Sequence, residues 1–528
     1  MDEEKLTGSY YTPESVVRFM VDYLGRNQQD FSYVLEPSAG DGRFIKALQQ
    51  TAGQIDAIEL YEDKIKALQA AYPSPAVHIE QADFIGYALK SAKRYSLVIG
   101  NPPYINPKAM GKEDISQARQ LCKEEGLGPD VMQNLWVAFV IGACRVLRPS
   151  GAIFFVLPME FLQVQYAEKL RLYLEKKFNT IHIISFQKFI FPEIEQEVCL
   201  VYLTNQAQSS PHILYHIYQD ADQRQPVRTN IIQKNKPLQK WSNAILTDAE
   251  ITLLKKWAAE YTAVSETGTI APGIVTGGNQ YFILRASQVE KYHCEAYVLP
   301  ILQKSSLVSD FTMMIDDAVM AKLRSGDKPM YLLDLSRREE PLPPSLLEYL
   351  TWAGDQKIRG VALRDRYKCA NRTPWYGVPI VKKGGVIFFK RFGRLPRLYI
   401  NEADVHTTDA GYHIRLKDDY DKASFVFCFY NSLTLAQCEY NGRYYGGGVR
   451  ELVPSEFKSI TIPYETIDAE SLDYLKGLFQ RKASVEEIVT FVNAHTVAKK
   501  ILPAEIEQLE KIRIKLMRQR NVDRKQMR

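Results

Sequence analysis

The amino-acid sequence predicts an α/β fold with a mostly parallel sheet, followed by a mixed, partly β-rich region and a helical C-terminus. Between residues 32 and 205, short apolar runs alternate with segments of helical periodicity. Beyond that point the strand-like runs become irregular and rich in aromatic residues, and from Glu465 the periodicity is helical. We therefore expect three domains, which span residues 1–240, 241–464 and 465–528.

The first region has the order of elements that βαβ units require. Strands are predicted at residues 33–35, 55–60, 77–79, 96–100 and 152–157, with helices at 42–50 and 62–71. Right-handed crossovers join such strands into a parallel sheet, and ligands bind beyond the carboxyl ends of the strands. The run Gln-Ala-Gln-Ser-Ser-Pro at residues 206–211 breaks this pattern, so we expect a linker to begin there.

Composition limits the classes of function. The chain has 528 residues, of which 46% are hydrophobic and 24% charged, as in soluble globular proteins. The net charge of +5 is too small to indicate a nucleic-acid partner by itself. The seven cysteines include no Cys-x-x-Cys pair and the eight histidines no metal-ligand spacing, so buried thiols and no bound metal are expected. Without a signal peptide or a long apolar stretch, a cytoplasmic protein without a membrane contact is expected.

A glycine-rich turn follows the first predicted strand. Its sequence is Glu36-Pro37-Ser38-Ala39-Gly40-Asp41-Gly42, directly before a helix. Gly40 and Gly42 allow a tight turn and a close approach of the backbone to a ligand, and Glu36 can bind a ligand amine. A turn of this kind alone fits a mere tight connection equally well.

Acidic residues follow the next two strands. Glu59 ends the second strand, where a carboxylate can accept hydrogen bonds from both hydroxyls of a ribose. Asp83 follows the third strand and can accept from an adenine amine, while Phe84 can pack on the purine ring. Each acid alone is more commonly a solvated loop residue. Their placement at consecutive strand ends favours an adenosine ligand.

The most specific motif is Asn101-Pro102-Pro103-Tyr104, at the end of the fourth strand. The two prolines make the turn rigid, so that the Asn101 side-chain oxygen and the Pro102 carbonyl can accept from one NH2 group. An aromatic amine held in this way becomes more pyramidal, and its lone pair can point at a sulfonium methyl group. Tyr104 offers a ring for stacking on a planar substrate. A rigid turn without chemistry is the alternative.

These motifs resemble those of the gamma-class, Taq-type N6-adenine DNA methyltransferases. The segment Gly8–Pro13 resembles the first motif of that family, residues 36–42 its cofactor loop, and residues 101–104 its catalytic tetrad. The order of the blocks is that of the gamma class. The resemblance implies a Rossmann-like class I methyltransferase domain with S-adenosyl-L-methionine as cofactor. The cofactor-binding residues that it implies are Tyr11, Thr12, Pro13, Glu36, Ser38, Gly40, Gly42, Glu59, Asp83, Phe84 and Asn101.

The same resemblance extends along the rest of the first region. Residues 134–139 and 148–151 are similar to the next helix and turn of the family, and residues 151–158 to the strand after them. The implied catalytic residues are Asn101, Pro102 and Tyr104, together with an aromatic residue that stacks on the target base. Phe191 is the preferred candidate for that aromatic, with Phe189 as the alternative; either could be a core residue.

The second half matches the family loosely, and the resemblance implies a target-recognition domain for double-stranded DNA. Residues 273–279 and 446–452 are glycine-rich segments similar to those of such domains. A base must leave the duplex to reach a pocket of this kind, so basic residues are expected to grip the DNA. The candidates are Lys390, Arg391, Arg394 and Arg443, although a hairpin with a solvated charged face is an alternative. The basic segment Lys511–Arg528 could contact phosphates, bind a partner or be a solvated tail, and the last two are favoured.

The predicted function is therefore sequence-specific methylation of the N6 amine of a flipped-out adenine in double-stranded DNA, in a restriction-modification or related system. A separate restriction endonuclease is a possible partner, because no nuclease motif stands out in the sequence. The enzymatic alternatives are a protein glutamine N5-methyltransferase and an RNA adenine methyltransferase. The non-enzymatic alternative is a DNA-binding specificity module.

Overall fold

The structure is a computed structural model that describes residues 11–188, 198–205, 211–234, 240–308, 312–336, 341–445 and 448–519. The described residues divide near Asp248 into two compact units. The first unit contains the sequence up to Asp248, and the second contains residues 249–444 and 448–519.

The first unit is built from alternating strands and helices. Its strands are β1 (Val34–Glu36), β2 (Ile55–Glu59), β3 (Val77–Gln81), β4 (Tyr95–Gly100), β5 (Leu147–Pro158), β6 (Thr180–Phe186), β7 (Val198–Thr204), β8 (His212–Tyr218) and β9 (Arg228–Gln233). Its helices are α1 (Glu14–Arg26), α2 (Arg43–Leu48), α3 (Glu62–Ala71), α4 (Phe84–Lys90), α5 (Lys112–Glu124), α6 (Leu135–Val146) and α7 (Glu168–Lys177).

These strands form a nine-stranded sheet in the order β3-β2-β1-β4-β5-β7-β6-β8-β9. Strands β1 to β5 pair in parallel, while β7 is antiparallel to both of its neighbours, β5 and β6. The mostly parallel sheet predicted from the sequence is confirmed. Every residue of β2 and β4 is buried, as expected for central strands that are covered on both faces.

The α/β region extends further than the break at residues 206–211 indicates. Residues 206–210 lie outside the described part of the chain. Directly after them, β8 pairs in parallel with β6, and β9 adds an antiparallel edge. The expectation that a linker to another domain begins here is therefore wrong, because β8 and β9 continue the same sheet.

Helix α1 shows why the N-terminal segment is anchored to this sheet. Its apolar positions recur with helical spacing, and Val16, Phe19 and Met20 pack in one core cluster with Val34 of β1 and Leu97 of β4. Glu14 in the first turn and Arg26 in the last match the helix dipole. The residues just before α1 are thereby held near the carboxyl ends of the central strands.

The second unit is a mixed α/β structure with several small sheets. Its strands are β10 (Thr262–Ala263), β11 (Gly268–Pro272), β12 (Ile283–Leu284), β13 (Val298–Leu302), β14 (Met314–Ile315), β15 (Tyr331–Leu333), β16 (Lys357–Ile358), β17 (Val361–Ala362), β18 (Val386–Phe389), β19 (Arg391–Phe392), β20 (Leu398–Asn401), β21 (His406–Thr407), β22 (Gly411–Leu416), β23 (Arg443–Tyr445), β24 (Val449–Glu451) and β25 (Thr461–Ile462). The largest sheet has the order β11-β22-β18-β20-β14.

The helices of this unit surround those sheets. They are α8 (Asp248–Ala258), α9 (Val264–Thr267), α10 (Asn279–Phe282), α11 (Ala286–Lys291), α12 (Asp317–Ser325), α13 (Pro344–Asp355), α14 (Tyr367–Ala370), α15 (Lys422–Phe429), α16 (Ser432–Asn441), α17 (Pro454–Lys458), α18 (Ala469–Gln480), α19 (Val485–His495) and α20 (Pro503–Gln519). The C-terminal α18 and α19 pack into the core of the unit, since Leu475 and Ile488 belong to the same apolar cluster as Phe425 of α15.

The basic C-terminal segment is not simply a solvated tail. Arg513 of α20 is 2% exposed and its guanidinium pairs with Glu510, while Lys515 Nζ lies 2.6 Å from Glu250 Oε2 of α8. Residues 520–528 lie outside the described part of the chain. All seven cysteines are buried free thiols, as expected. Among the described residues, none of the helices combines the length and the apolar composition that a membrane span requires.

Candidate active site

A pocket lies at the carboxyl ends of β1, β2, β3 and β4, where parallel strands expose the loops that follow them. Nine residues of the predicted cofactor set line it: Tyr11, Thr12, Glu36, Ser38, Gly40, Glu59, Asp83, Phe84 and Asn101. Pro13 and Gly42, which the structure also describes, are not among the lining residues. The strand-end motifs are therefore brought together at one edge of the sheet.

Glu36 presents a buried carboxylate to this pocket. The residue is 2% exposed, and its Oε2 has no hydrogen-bond partner among the described residues. Burial raises the pKa of Glu36 well above its ordinary value; the carboxylates of Asp41 and Glu59 raise it further, whereas the backbone of Ile45 lowers it. A donor or a cationic group in the pocket would therefore stabilise the charged form of Glu36.

Glu59 fixes the glycine loop. Its Oε2 accepts from the N–H of Gly40 at 2.8 Å, and its Oε1 accepts from the N–H groups of Leu60 and Tyr61 at 2.9 and 3.1 Å. A carboxylate can accept about four hydrogen bonds. Glu59 thus holds the loop in place and keeps capacity for one further donor.

Asp83 is the N-cap of α4, because its Oδ2 accepts from the N–H of Gly86 at 2.7 Å. Burial raises the pKa of Asp83, the nearby Asp114 raises it further, and the hydrogen bond from Gly86 opposes the shift. Next to it, the ring of Phe84 packs at 5.0 Å from that of Phe139, and both rings line the pocket. This corner of the pocket therefore combines an acceptor with an apolar wall of two tilted rings.

The two glycines of the loop are required for different structural reasons. Both adopt positive φ, +57° at Gly40 and +79° at Gly42. Gly40 faces the pocket and lies under the ring of Tyr11. A Cβ at Gly42 would come within 2.6 Å of Leu68 Cδ2 and 2.7 Å of Tyr72 Cε2. Gly42 thus allows the loop to pack against α3 and the residue after it, and the expectation that it approaches the ligand is not supported.

Two cations that the sequence analysis did not single out organise the N-terminal segment. Arg43 donates from Nη1 to the carbonyl of Thr12 at 2.8 Å and from Nε to Asp41 Oδ2 at 2.7 Å. The Arg43 guanidinium and Lys64 Nζ lie 5.5 and 5.6 Å from the ring centre of Tyr11. Only the position of Arg43 directly after the glycine loop could have pointed to this role.

The Asn-Pro-Pro-Tyr turn is fixed on several sides. Ser38 Oγ donates to the carbonyl of Asn101 at 3.2 Å, so the cofactor loop is bonded to the turn. The hydroxyl of Tyr104 donates to the carbonyl of Val156 in β5 at 3.1 Å, which leaves the ring half-buried. Burial raises the pKa of Tyr104 well above its ordinary value. Pro102 is buried, and Asn101 lines the pocket.

Helix α6 supplies the opposite wall of the pocket. The N–H of Leu135 donates to the carbonyl of Ile105 at 2.9 Å, which joins the start of α6 to the residue after the Asn-Pro-Pro-Tyr turn. Leu135 and Phe139 lie four residues apart on one face of the helix and both line the pocket. The described residues include no group of three or more His, Cys, Asp or Glu side chains arranged to hold a metal ion.

Most of the predicted DNA contacts are paired with acids. Glu451 accepts from Arg391 Nε at 2.8 Å and lies 3.8 Å from Lys390 Nζ. Arg443 Nε lies 2.9 Å from Glu456 Oε1, and its side chain is 15% exposed. These pairs offset the positive charge that was expected to meet phosphates, so the role of Lys390, Arg391 and Arg443 stays a prediction.

Two further sequence predictions concern Arg394 and the aromatic residue expected to stack on the target base. Arg394 is exposed in the segment between β19 and β20. Phe191 and its alternative Phe189 lie outside the described residues, so the choice between them stays a prediction.

Two family models match the chain. Residues 38–191 match the family described as Eco57I restriction-modification methylase, and residues 238–497 match the C-terminal domain of the type II methyltransferase M.Eco57I. The pocket residues from Ser38 to Phe139 fall within the first match, and most of the second unit falls within the second match.

Individual proteins are also similar to this chain. The type II methyltransferase M.AccI of Acinetobacter calcoaceticus is 23% identical, over 91% of this chain and 90% of its own length. A tRNA1(Val) (adenine(37)-N6)-methyltransferase of Erwinia tasmaniensis is 38% identical over 81 residues, which are 14% of this chain and 33% of that protein. The solved structure of the Type IIL restriction-modification enzyme MmeI in complex with DNA aligns with a TM-score of 0.56, at 11% identity, over 96% of this chain and 75% of that one. At that identity the likeness is one of fold.

Proposed function

Because this chain belongs to the gamma-class type II DNA methyltransferases of restriction-modification systems, we propose that its target atom is the N6 amine of an adenine turned out of double-stranded DNA. Sequence-specific DNA methylation is the activity of the family. The observation that carries the finer proposal is the bond between the cofactor loop and the Asn-Pro-Pro-Tyr turn, made by Ser38 and Asn101. Groups suited to an adenosine cofactor and to an NH2 substrate therefore adjoin each other.

The cofactor proposed for the pocket is S-adenosyl-L-methionine, the methyl donor of class I methyltransferases. The buried and unpartnered Oε2 of Glu36 fits the ammonium group of its methionine part. Thr12 and Tyr11, which Arg43 holds over the loop, would cover that part of the ligand. When bound, the cofactor supplies an electrophilic methyl group.

The adenosine part fits the two strand-end acids. Glu59 keeps capacity to accept from a ribose hydroxyl while it holds Gly40. Asp83 has a second carboxylate oxygen beyond the one that caps α4, and it can accept from an adenine amine. Phe84 and Phe139 would pack on the purine ring, which the tilted pair of rings can flank.

The catalytic turn fits a planar NH2 group. The Asn101 side-chain oxygen and the Pro102 carbonyl would accept from its two N–H bonds, which holds the nitrogen and directs its lone pair away from the ring plane. Tyr104 would stack on the base, because its hydroxyl is already bonded to Val156 and only its ring is available. Phe191 is proposed as the aromatic residue on the other face of the base.

The second unit would bind the duplex around the extruded base. Unstacking one base costs on the order of a few kcal/mol, and contacts to the flanking DNA must offset that cost. We also propose a separate restriction endonuclease of the same specificity as the biological partner. Its support is the family, whose description names restriction-modification.

Labelled methyl transfer tests this proposal. The purified protein would be incubated with methyl-labelled S-adenosylmethionine and duplex DNA, and the DNA would be digested to nucleosides. We expect the label in N6-methyldeoxyadenosine. Label in a methylated cytosine, in RNA or in a protein glutamine supplied in parallel would contradict the proposal.

A further inference from the structure

A turn at residues 275–278 of the second unit contains the glycine pair Gly277–Gly278. This turn packs very closely against a segment near residue 368. Gly277 has φ +90°, and a Cβ there would lie 3.1 Å from Cys369 Sγ and 3.2 Å from Lys368 Cβ. A Cβ at Gly278 would lie 2.6 Å from Leu363 Cδ1. The absence of side chains therefore lets the turn pack directly against residues 363–372, which we call the basic loop.

The arginines of the basic loop bind backbone carbonyls of this turn. Arg366 Nη1 donates to the carbonyl of Gly277 at 2.5 Å. Arg372 donates from Nη1 to the carbonyl of Thr276 and from Nη2 to that of Val275, both at 2.7 Å. These bonds fix the guanidinium groups, and a neutral carbonyl leaves their positive charge in place.

Lys368 and Tyr367 project from the same loop. Tyr367 is 78% exposed, and Lys368 Nζ lies 5.7 Å from the centre of its ring. Within the described part of the chain, Arg366, Lys368 and Arg372 form no ion pair with a carboxylate. Asp365 is the one acid of the loop, so the loop keeps a net positive charge beside an exposed aromatic ring.

The turn and the basic loop line a groove of about 740 Å³, which we call the Gly277 groove. Its other polar lining residues are mainly amides and one further arginine: Asn279, Gln280, Gln288, Gln303 and Arg285. Asp409 is the one acid among the described lining residues, and its Oδ2 lies 3.9 Å from Lys390 Nζ. Amide and guanidinium groups are the side chains that read adenine and guanine edges in a DNA groove.

The contrast with the basic residues predicted from the sequence favours this groove. Arg391 faces Glu451, and the mostly buried Arg443 faces Glu456. An ion pair must be broken or shared before such an arginine binds a phosphate. In the basic loop Arg366 and Arg372 are held by backbone carbonyls, so no ion pair of theirs among the described residues must be broken before a phosphate binds.

We propose that the Gly277 groove is a contact site for double-stranded DNA, in which Arg366 and Lys368 meet phosphates and Gln280 reads a base edge, while Arg372 holds the turn that precedes Gln280. The inference rests on the proposed function in taking duplex DNA as the substrate. The phosphate contacts position the protein on any sequence, whereas the exposed amide of Gln280 contributes to the choice of sequence.

The test compares DNA affinities of the full-length protein over a range of salt concentrations. The variants are K368Q, the double variant R366Q/K368Q, and Q280A. The affinity of each is measured for two short unmodified duplexes, one that contains the sequence recognised by the protein and one that lacks it. Each lost phosphate contact should lower the slope of log affinity against log salt by about 1. K368Q should lower it by about 1 and the double variant by about 2, on both duplexes. Q280A should keep the slope and lose about 5- to 150-fold of the preference for one base.

The matched control is K417Q. Lys417 is exposed and directly follows the last residue of β22. Asp409, which lines the groove, lies just before the first residue of that six-residue strand. A strand of that length spans about 20 Å, so the control removes one lysine of the same unit outside the groove. Because Arg366 also holds the turn, unchanged S-adenosylmethionine affinity and unfolding midpoint are required of every variant. Q280A, which removes no backbone contact of the loop, provides a second test if the double variant fails to fold.

The outcomes separate this inference from the proposed function. A salt slope of K368Q and a sequence preference of Q280A that both equal those of K417Q, in a protein that still methylates DNA, would overturn the groove as a contact site. Failure of the wild-type protein to bind any duplex would overturn the proposed function and this inference together.

Discussion

Ser38 donates its hydroxyl hydrogen to the backbone carbonyl of Asn101, 63 residues further along the chain, at a distance of 3.2 Å. Ser38 belongs to the loop after β1 and Asn101 to the turn after β4, and these strands are neighbours in the sheet. The bond therefore couples the position of the cofactor loop to that of the proposed catalytic turn. It gives a physical reason why two separate motifs can act on one reaction.

Removal of this bond should slow methyl transfer. A neutral hydrogen bond contributes about 0.5–1.5 kcal/mol, so S38A should lower the single-turnover rate at saturating cofactor by about 2- to 12-fold. S38T keeps the hydroxyl and should retain more of the rate. If S38A weakened cofactor binding alone and left the saturated rate unchanged, Ser38 would serve the cofactor and not the turn.

Loss of the Asn101 side chain should abolish transfer without loss of the cofactor. N101A removes one of the two acceptors proposed for the amine, and removal of such a polar contact to a reacting group typically costs about 10²-fold or more. Rapid-quench kinetics measures the rate and calorimetry the cofactor affinity. Retention of more than about a tenth of the wild-type rate would remove Asn101 from the proposed role.

Asp83 should be tested with asparagine as well as alanine, because its carboxylate also caps α4. D83N can cap the helix or accept from the cofactor amine with its single carbonyl oxygen, but not both. Its cofactor affinity should fall by about 1–3 kcal/mol with little loss of stability. D83A should lose the same affinity and also about 0.5–2 kcal/mol of stability, through the missing cap. Unchanged affinity in D83N by calorimetry would exclude the adenine contact.

Glu36 should make both stability and cofactor binding depend on pH. Burial raises its pKa in the folded protein above the ordinary value of 4.5. The folded state therefore retains a proton that the unfolded state has released, and stability falls as pH rises from 4.5 towards the raised pKa. E36Q carries no charge, so above pH 4.5 its stability advantage over the wild type should grow with pH.

Cofactor binding should show the opposite trend. An ammonium group favours the ionised carboxylate, so the affinity of the wild type for S-adenosylmethionine should rise with pH over the same range. E36Q should bind more weakly and without this rise. Calorimetry in buffers of different ionisation enthalpy would detect the proton that the wild type releases. Equal affinity and equal pH dependence in E36Q would contradict the proposed ammonium contact.

The sequence could predict that the acids of the pocket lie together, because parallel strands end at one edge of the sheet. Glu36, Glu59 and Asp83 each stand at a strand end, and the sheet order β3-β2-β1-β4 brings those ends together. The sequence does not reveal that Asp83 also caps a helix or that Glu59 already holds Gly40, since both depend on local hydrogen bonds.

The features that the sequence analysis missed depend on packing between distant segments. Arg43 matters through the carbonyl of Thr12 and the ring of Tyr11, neither of which a motif specifies. Lys390 and Arg391 both lie close to Glu451, which follows Arg391 by 60 residues in the chain and offsets their charge. A count of basic residues cannot distinguish a paired cation from one that is held by backbone carbonyls, as Arg372 is.

The most direct test of the central claim is direct detection of modified bases in the genome of a methylation-deficient host that expresses this protein. The proposed function predicts N6-methyladenine at essentially every copy of one short sequence, and none in cells that express N101A at the same level. Modified cytosine at a defined sequence, or an unmodified genome despite folded and cofactor-binding protein, would contradict it.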